Sequence, residues 1–188
     1  METFKAENRN VWREWFERNA AIKKEIKLIY YKKNSGKESI SYDESVEEAL
    51  CFGWIDGIRN SVDEGSYSIR FTPRKSKSIW SLINKNRVEK LITEGKMKPE
   101  GLILVEIAKE NGQWDDAYSM KEKNEIPEDL KEALIANLEA LEFFETLSPS
   151  NQFICIYRIK KLKSAELRLE RIKKFISLLE KKIKPANW

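Results

Sequence analysis

The sequence predicts an α+β protein: a small mixed sheet of about three strands with flanking helices in the N-terminal part, followed by an all-helical C-terminal part. Three observations carry this. β-Branched and aromatic residues gather in "EIKLIYYKK", "WIDGIRNSV" and "YSIRFT", the composition of strands. Ser, Pro and Gly stand where helices start and stop through the rest of the chain. Beyond Pro73 the apolar residues take up helical spacing.

In chain order, "NRNVWREWFERNA" places Val11, Trp12, Trp15 and Phe16 on one helical stripe. "EIKLIYYKK" sets Ile26, Leu28 and Tyr30 on one face of a strand and Ile29 and Tyr31 on the other, which suits a strand covered on both sides. In "SYDESVEEALCFG", Ser41 and Glu44 have capping-box spacing and Gly53 is placed to end the helix. Residues 54–72 then read as a hairpin around "DEGS". The helix between strands 26–33 and 54–59 makes a βα-type crossover, right-handed if those strands are parallel neighbours.

Further helices follow in "SIWSLINKNRVEKLITEG", "PEGLILVEIAKENG", "IPEDLKEALIANLEALEFFETL" (opening at Pro127) and "SPSNQFICIYRIKKL" (Ser148 as cap, Pro149 first). The last helix repeats apolar residues at Ala165, Leu169, Ile172, Ile176, Leu179 and Ile183 against a basic face, and "KPANW" is expected to fray. "SMKEKNE" is the linker candidate. It separates an α+β domain, 1–118, from a C-terminal helical region, 126–184, expected to pack on it.

The chain has 188 residues, 41% hydrophobic and 11% aromatic, enough for a real core. It has no histidine, which excludes Ser-His-Asp triads, Cys-His pairs and an imidazole base. Two cysteines far apart, with no basic-then-apolar leader in "METFKAENRN", favour free thiols and a cytoplasmic location. No run reaches the roughly 18 apolar residues of a membrane span. Residues 100–147 hold thirteen Asp/Glu against four Lys/Arg, while residues 148–188 hold eleven Lys/Arg against three acids. These are faces that complement one another or are solvated.

The candidate site lies around "CFGWIDG" and "RFTPRKSKSIWSLINKNR". Strand alternation would put Trp54, Asp56 and Ile58 on one face. An acid among apolar neighbours needs a cation or a ligand. Asp56 either pairs with Arg70 or Arg74 or, if the arginine points elsewhere, edges a binding site. The second segment carries Arg70, Arg74, Lys75, Lys77, Lys85 and Arg87 with no acid, interleaved with Phe71, Trp80 and hydroxyls. It is an anion cradle or an exposed basic loop. The ligand-binding set is Trp54, Asp56, Arg70, Arg74, Lys75, Ser78 and Trp80. Trp54 and Trp80 wall it, and Lys75 and Ser78 meet the anion. Cys51, at a helix C-terminus without an activating base, reads as packing.

GxGxxG, P-loop, CxxC and calcium-loop patterns are absent, so no cofactor or metal is expected and the reading leans away from an enzyme. An acid/base pair of Asp56 with Lys75 or Tyr67 is the weakest alternative. A nucleic-acid module using 70–87 and the basic C-terminal residues Lys160, Lys161, Lys163, Arg168 and Arg171 is the main one.

The runs "SISYDESVEEALCFGWIDG", "RFTPRKSKSIWSLINKNRVEKLITEGKMKPEG", "AKENGQWDDAY" and "LSPSNQFICIYRIKKLKSAELRLERIKKFISLLEKK" closely resemble the YdeI/OmpD-associated family. The resemblance implies a link to protection against bacteriocins or cationic antimicrobial peptides and to an outer-membrane porin, sometimes with a periplasmic location. It supplies no catalytic residues. The combined expectation is a family member that binds a small anionic ligand.

Overall fold

Strand β2 (Ile26–Tyr31) places Ile26, Leu28 and Tyr30 on the buried face. It pairs antiparallel with β4 (Ser66–Pro73) in the register Ile26 with Phe71, Leu28 with Ile69 and Tyr30 with Tyr67. β4 also pairs with β3 (Trp54–Ser61), closing the hairpin. A short strand β1 (Thr3–Lys5) runs parallel to β2, and the sheet order is β1-β2-β4-β3. This computed structural model describes residues 2–119 and 125–183, and the fold is α+β.

The sheet has four strands where the sequence suggests about three. β4 lies between β2 and β3, so those two strands are not neighbours. The parallel crossover is instead β1–α1–β2. Three residues are too few for a periodic signal, which is why β1 is not read from sequence.

Helix α1 (Arg9–Asn19) starts at Asn8, whose side chain accepts from the Val11 N–H. It buries Trp12, Trp15 and Phe16, while Val11 is only half-buried. Trp12 stacks on Trp15 and meets Phe71 edge-on at 5.5 Å. Each such ring removes enough apolar surface from water for about 3 kcal/mol of transfer free energy. Helix α2 (Tyr42–Cys51) opens with the expected Ser41–Glu44 capping box. Gly53 follows its end at φ +72°, a conformation that strains any side-chain-bearing residue. Helices α3 (Leu82–Thr93) and α4 (Pro99–Glu110) complete the first of two compact units, Met1–Ser119.

The second unit, Met120–Trp188, contains α5 (Glu128–Ile135), α6 (Leu138–Thr146), α7 (Pro149–Lys160) and α8 (Ala165–Glu180). The helical run expected from Pro127 is broken. Asn137 stops α5 and caps α6 by accepting from the Ala140 N–H at 3.0 Å. Leu130, Leu134, Phe144, Ile156, Ile159, Ile172, Phe175 and Leu179 form the core. The expected stripe on α8 is therefore rotated: Ile172, Phe175 and Leu179 point inward, and Leu169 and Ile183 are about half exposed. Most of the linker candidate (residues 120–124) and the tail 184–188 lie outside the described residues. Among the described residues no helix is long and apolar enough to cross a membrane.

Candidate functional site

A β-bulge shapes the site. The register steps from Asp56 opposite Phe71 to Arg59 opposite Ile69, so Gly57 and Ile58 together face Arg70. Asp56 and Arg59 thus share the face of Phe71 and Ile69, while Ile58 is 69% exposed. Simple alternation places Ile58 beside Asp56, and the extra residue overturns that.

Asp56 is half-buried and accepts a hydrogen bond from the Tyr42 hydroxyl at 2.8 Å. Tyr42 is the first residue of α2, so the capped helix start delivers its phenol to β3. Burial, and then the neighbouring Asp56 carboxylate, push the phenol's pKa up, which keeps it a proton donor. Arg70 points away. Its Nη2 lies 2.6 Å from Glu25 Oε2, because alternation along β4 turns it opposite to Ile69 and Phe71. Asp56 therefore has no arginine partner: neither Arg70 nor Arg74 lies within 4 Å of it.

Arg74 follows β4, its N–H donating to the Gly53 carbonyl at 2.9 Å. Its guanidinium carbon lies 3.6 Å from the Trp80 ring centroid, and Nη2 donates to the Ile79 carbonyl at 2.6 Å. The residue is 7% exposed, and Nε is buried with no hydrogen-bond partner. No carboxylate among the described residues comes within 4 Å. Burial pulls its pKa down to about 10 against the opposing pull of Tyr118 and Asp56. It remains charged at neutral pH.

The other predicted residues divide. Trp54 is 1% exposed and meets Trp15 and Phe16 edge-on, so it belongs to the core. Trp80 is also buried, one face under Arg74 and the ring T-shaped to Trp114 at 4.9 Å. Backbone bonds of Tyr118 to Trp80 and Leu82 hold it there. Lys75 and Ser78 close a tight turn: Ser78 N–H donates to Lys75 O at 2.9 Å, and Lys75 N–H to Ser78 Oγ at 3.2 Å. Ser78 keeps its own O–H free to donate, and Lys75 is exposed.

Sequence reasoning missed Tyr42, and also Arg59, whose guanidinium lies 3.7 Å from the Tyr67 ring centre. Tyr67 in turn stacks on Tyr30 at 5.0 Å. Arg87 is held by Asp43 and by Asn84. The capping box already fixes Tyr42 as the first helical residue, a signal that could have placed it. Cys51 is buried, and its thiol is pushed up to about 11, far from a nucleophile's range.

Residues 4–104 match a family model described as a domain of unknown function (DUF8412). Residues 123–182 match the model described as "Bacteriocin-protection, YdeI or OmpD-Associated". No curated protein and no solved structure matches the chain. The blocks around Asp56 and Arg74 thus fall within the first match, and the C-terminal helices within the second. The chain belongs to the family of the domain of unknown function DUF8412, whose model covers more than half of it, and its C-terminal helices carry the YdeI/OmpD-associated match.

Proposed function

We propose that the N-terminal unit binds a small anion at the Arg74 guanidinium. The observation that carries this is a charged side chain, 7% exposed, with a buried Nε that has no partner and, among the described residues, no carboxylate within 4 Å. An isolated buried charge costs several kcal/mol, and an anion offsets that cost through charge-assisted hydrogen bonds. Lys75 and the Ser78 hydroxyl complete the cradle, and Trp80 forms its floor. Trp54 supports the strand from the core, Asp56 sets the local field, and Arg70 is engaged by Glu25. Thermal-shift titration with phosphate, sulfate and short carboxylates, at ionic strength matched with chloride, tests this. Anion concentrations about a hundredfold above Kd stabilise by about 2.7 kcal/mol, a rise of several degrees. An equal rise in Arg74→Met, or none in the wild type, would overturn the proposal. A nucleic-acid surface gains little from the same segment, because Arg70 and Arg87 are held by Glu25 and Asp43 and Arg74 is buried away from a phosphate backbone.

A second reading attaches to the C-terminal unit, whose matched model names bacteriocin protection. A groove of about 700 Å³ between α5 and α8 is walled by Ala133, Ala136, Ala165, Leu169, Ile172 and Ile176. The surrounding α5–α6 surface exposes Glu128, Glu132, Glu139, Glu142 and Glu145 against Lys131. Apolar walls with acid on the α5–α6 side, facing Arg168 and Lys173 of α8, suit the apolar face of a cationic amphipathic helix laid against α5. Fluorescence anisotropy with a model Leu/Lys helix should show binding that Leu169→Glu weakens. Equal binding of a Leu/Glu helix would sink the idea.

A further inference from the structure

Asp56 and Arg74 are opposite charges on the same hairpin that do not pair. Asp56 stands opposite Phe71, and Arg74 comes directly after Pro73, which stands opposite Trp54. The two side chains are more than 4 Å apart. They are nonetheless near enough that Asp56 is one of the groups holding up the Arg74 pKa. Each is also incompletely satisfied by protein. Asp56 uses Oδ2 to accept from the neutral Tyr42 hydroxyl, and its Oδ1 has no protein partner among the described residues. Arg74 uses Nη2 for the Ile79 carbonyl and leaves Nε and Nη1 without partners there.

A plain anion drawn to Arg74 would sit in the repulsive field of Asp56. That repulsion becomes attraction if the same ligand carries a positive group on its other end. Tyr42 adds to this preference, because the residue is 40% exposed beside Asp56, and aromatic faces attract ammonium groups.

We infer, building on the anion reading of Arg74, that the ligand is a small zwitterion whose ammonium group meets Asp56 and Tyr42 and whose acidic group meets Arg74, Lys75 and Ser78. Neither group can simply be exchanged for a neutral one. A ligand lacking the amine leaves Asp56 unmatched, and one lacking the acid leaves Arg74 unmatched.

Isothermal titration of the full chain with two matched series tests this. The acids are acetate, propionate and butyrate; the zwitterions are glycine, β-alanine and 4-aminobutyrate. One zwitterion length should bind at least about tenfold tighter than its matching acid, the scale of one hydrogen bond to a charged group. Asp56→Asn, whose amide oxygen can still accept from Tyr42, should abolish that gain and tighten the acid's own binding, because the repulsive carboxylate is gone. Acids that bind with no gain from the amine at any length would overturn the zwitterion and leave the anion site standing. Asp56→Asn weakening both series equally would also overturn it, making Asp56 a positioning residue for Arg74. If neither series binds and inorganic phosphate also fails, the anion reading itself falls. The wild-type comparison of the two series needs no variant, so a misfolded mutant does not remove the test.

Discussion

Arg13 on α1 holds Glu48 on α2 through an Nη1–Oε2 contact of 2.7 Å, and Arg9, one turn earlier, takes the other carboxylate oxygen at 2.5 Å. Glu48 is 1% exposed, an acid on the inner face of α2 whose two oxygens each accept from a guanidinium. Glu48→Ala removes the buried counter-charge the two guanidinium groups share, leaving Arg9 with Glu47 at 2.9 Å and Arg13 with Glu17 at 3.8 Å. The expected loss is about 3 kcal/mol, at the low end for a broken buried pair because the arginines remain about a quarter exposed. Urea unfolding should show a lower midpoint with an unchanged slope. A loss below about 1 kcal/mol would reduce the cluster to an ordinary surface ion pair.

Alanine in place of glycine within a helix normally stabilises by about 0.5–1 kcal/mol. At Gly101 the sign reverses. A Cβ there would stand 2.4 Å from the Cys51 carbonyl oxygen and 2.8 Å from that of Leu50. The same Cys51 oxygen accepts the Lys98 N–H at 3.0 Å, so the first turn of α4 is docked on the end of α2. Backbone cannot swing aside as a flexible side chain can, and Gly101→Ala is expected to cost about 2 kcal/mol. A thermal midpoint at or above that of the wild type would show that α4 can slide.

Local chemistry was legible in the sequence, and what depends on distant partners was not. The Ser41–Glu44 box, the αL glycine at 53 and the 54–72 hairpin follow from residues within a few positions of one another, and the structure has them where the pattern puts them. The bulge at Gly57 and Ile58 was not legible, because a single extra residue leaves no mark in an alternating pattern. The choice of Glu25 by Arg70 rests on strand order, which no local window contains. Nothing local sets Glu48 apart from Asp43, Glu44 and Glu47 on the same helix. Its role depends on Arg9 and Arg13, 39 and 35 residues away. The break at Asn137 was readable in principle, since asparagine is a strong cap, but the apolar spacing runs straight through it.

Both cysteines are free and buried, and burial pushes the Cys51 thiol up to about 11 and that of Cys155 up to about 12. At pH about 8 almost none of either is thiolate, the reactive form. Iodoacetamide should leave the folded chain untouched and label both residues in concentrated guanidinium chloride. The sign of the linkage follows. A thiol whose folded pKa is raised stabilises fully below its ordinary value of 9.0. That stability is lost as pH rises towards about 11, because the unfolded chain releases its proton first. Cys51→Ala should flatten the alkaline fall. Equal labelling of folded and unfolded chains would refute the burial argument.

In the C-terminal unit, Arg168 bonds Asp129 through both Nε and Nη2, the second at 2.9 Å, while its Nη1 donates to the Ile159 carbonyl at 2.9 Å. One guanidinium thus joins the start of α5 to the last turn of α7. Its hydrogen bonds hold the Asp129 carboxyl below the usual carboxylate range. The stabilisation is present above the ordinary pKa of 3.8 and is lost as pH falls through the depressed value. Because the Asp129 side chain is 43% exposed, the pair is worth less than about 1 kcal/mol. Arg168→Met removes the carbonyl bond as well and should destabilise more than Asp129→Asn. An NMR titration of the Asp129 carboxyl carbon reads the effect directly. Its midpoint should lie below 3.8 in the wild type and return towards 3.8 in Arg168→Met, and a wild-type midpoint at or above 3.8 would show that solvent screens the pair completely.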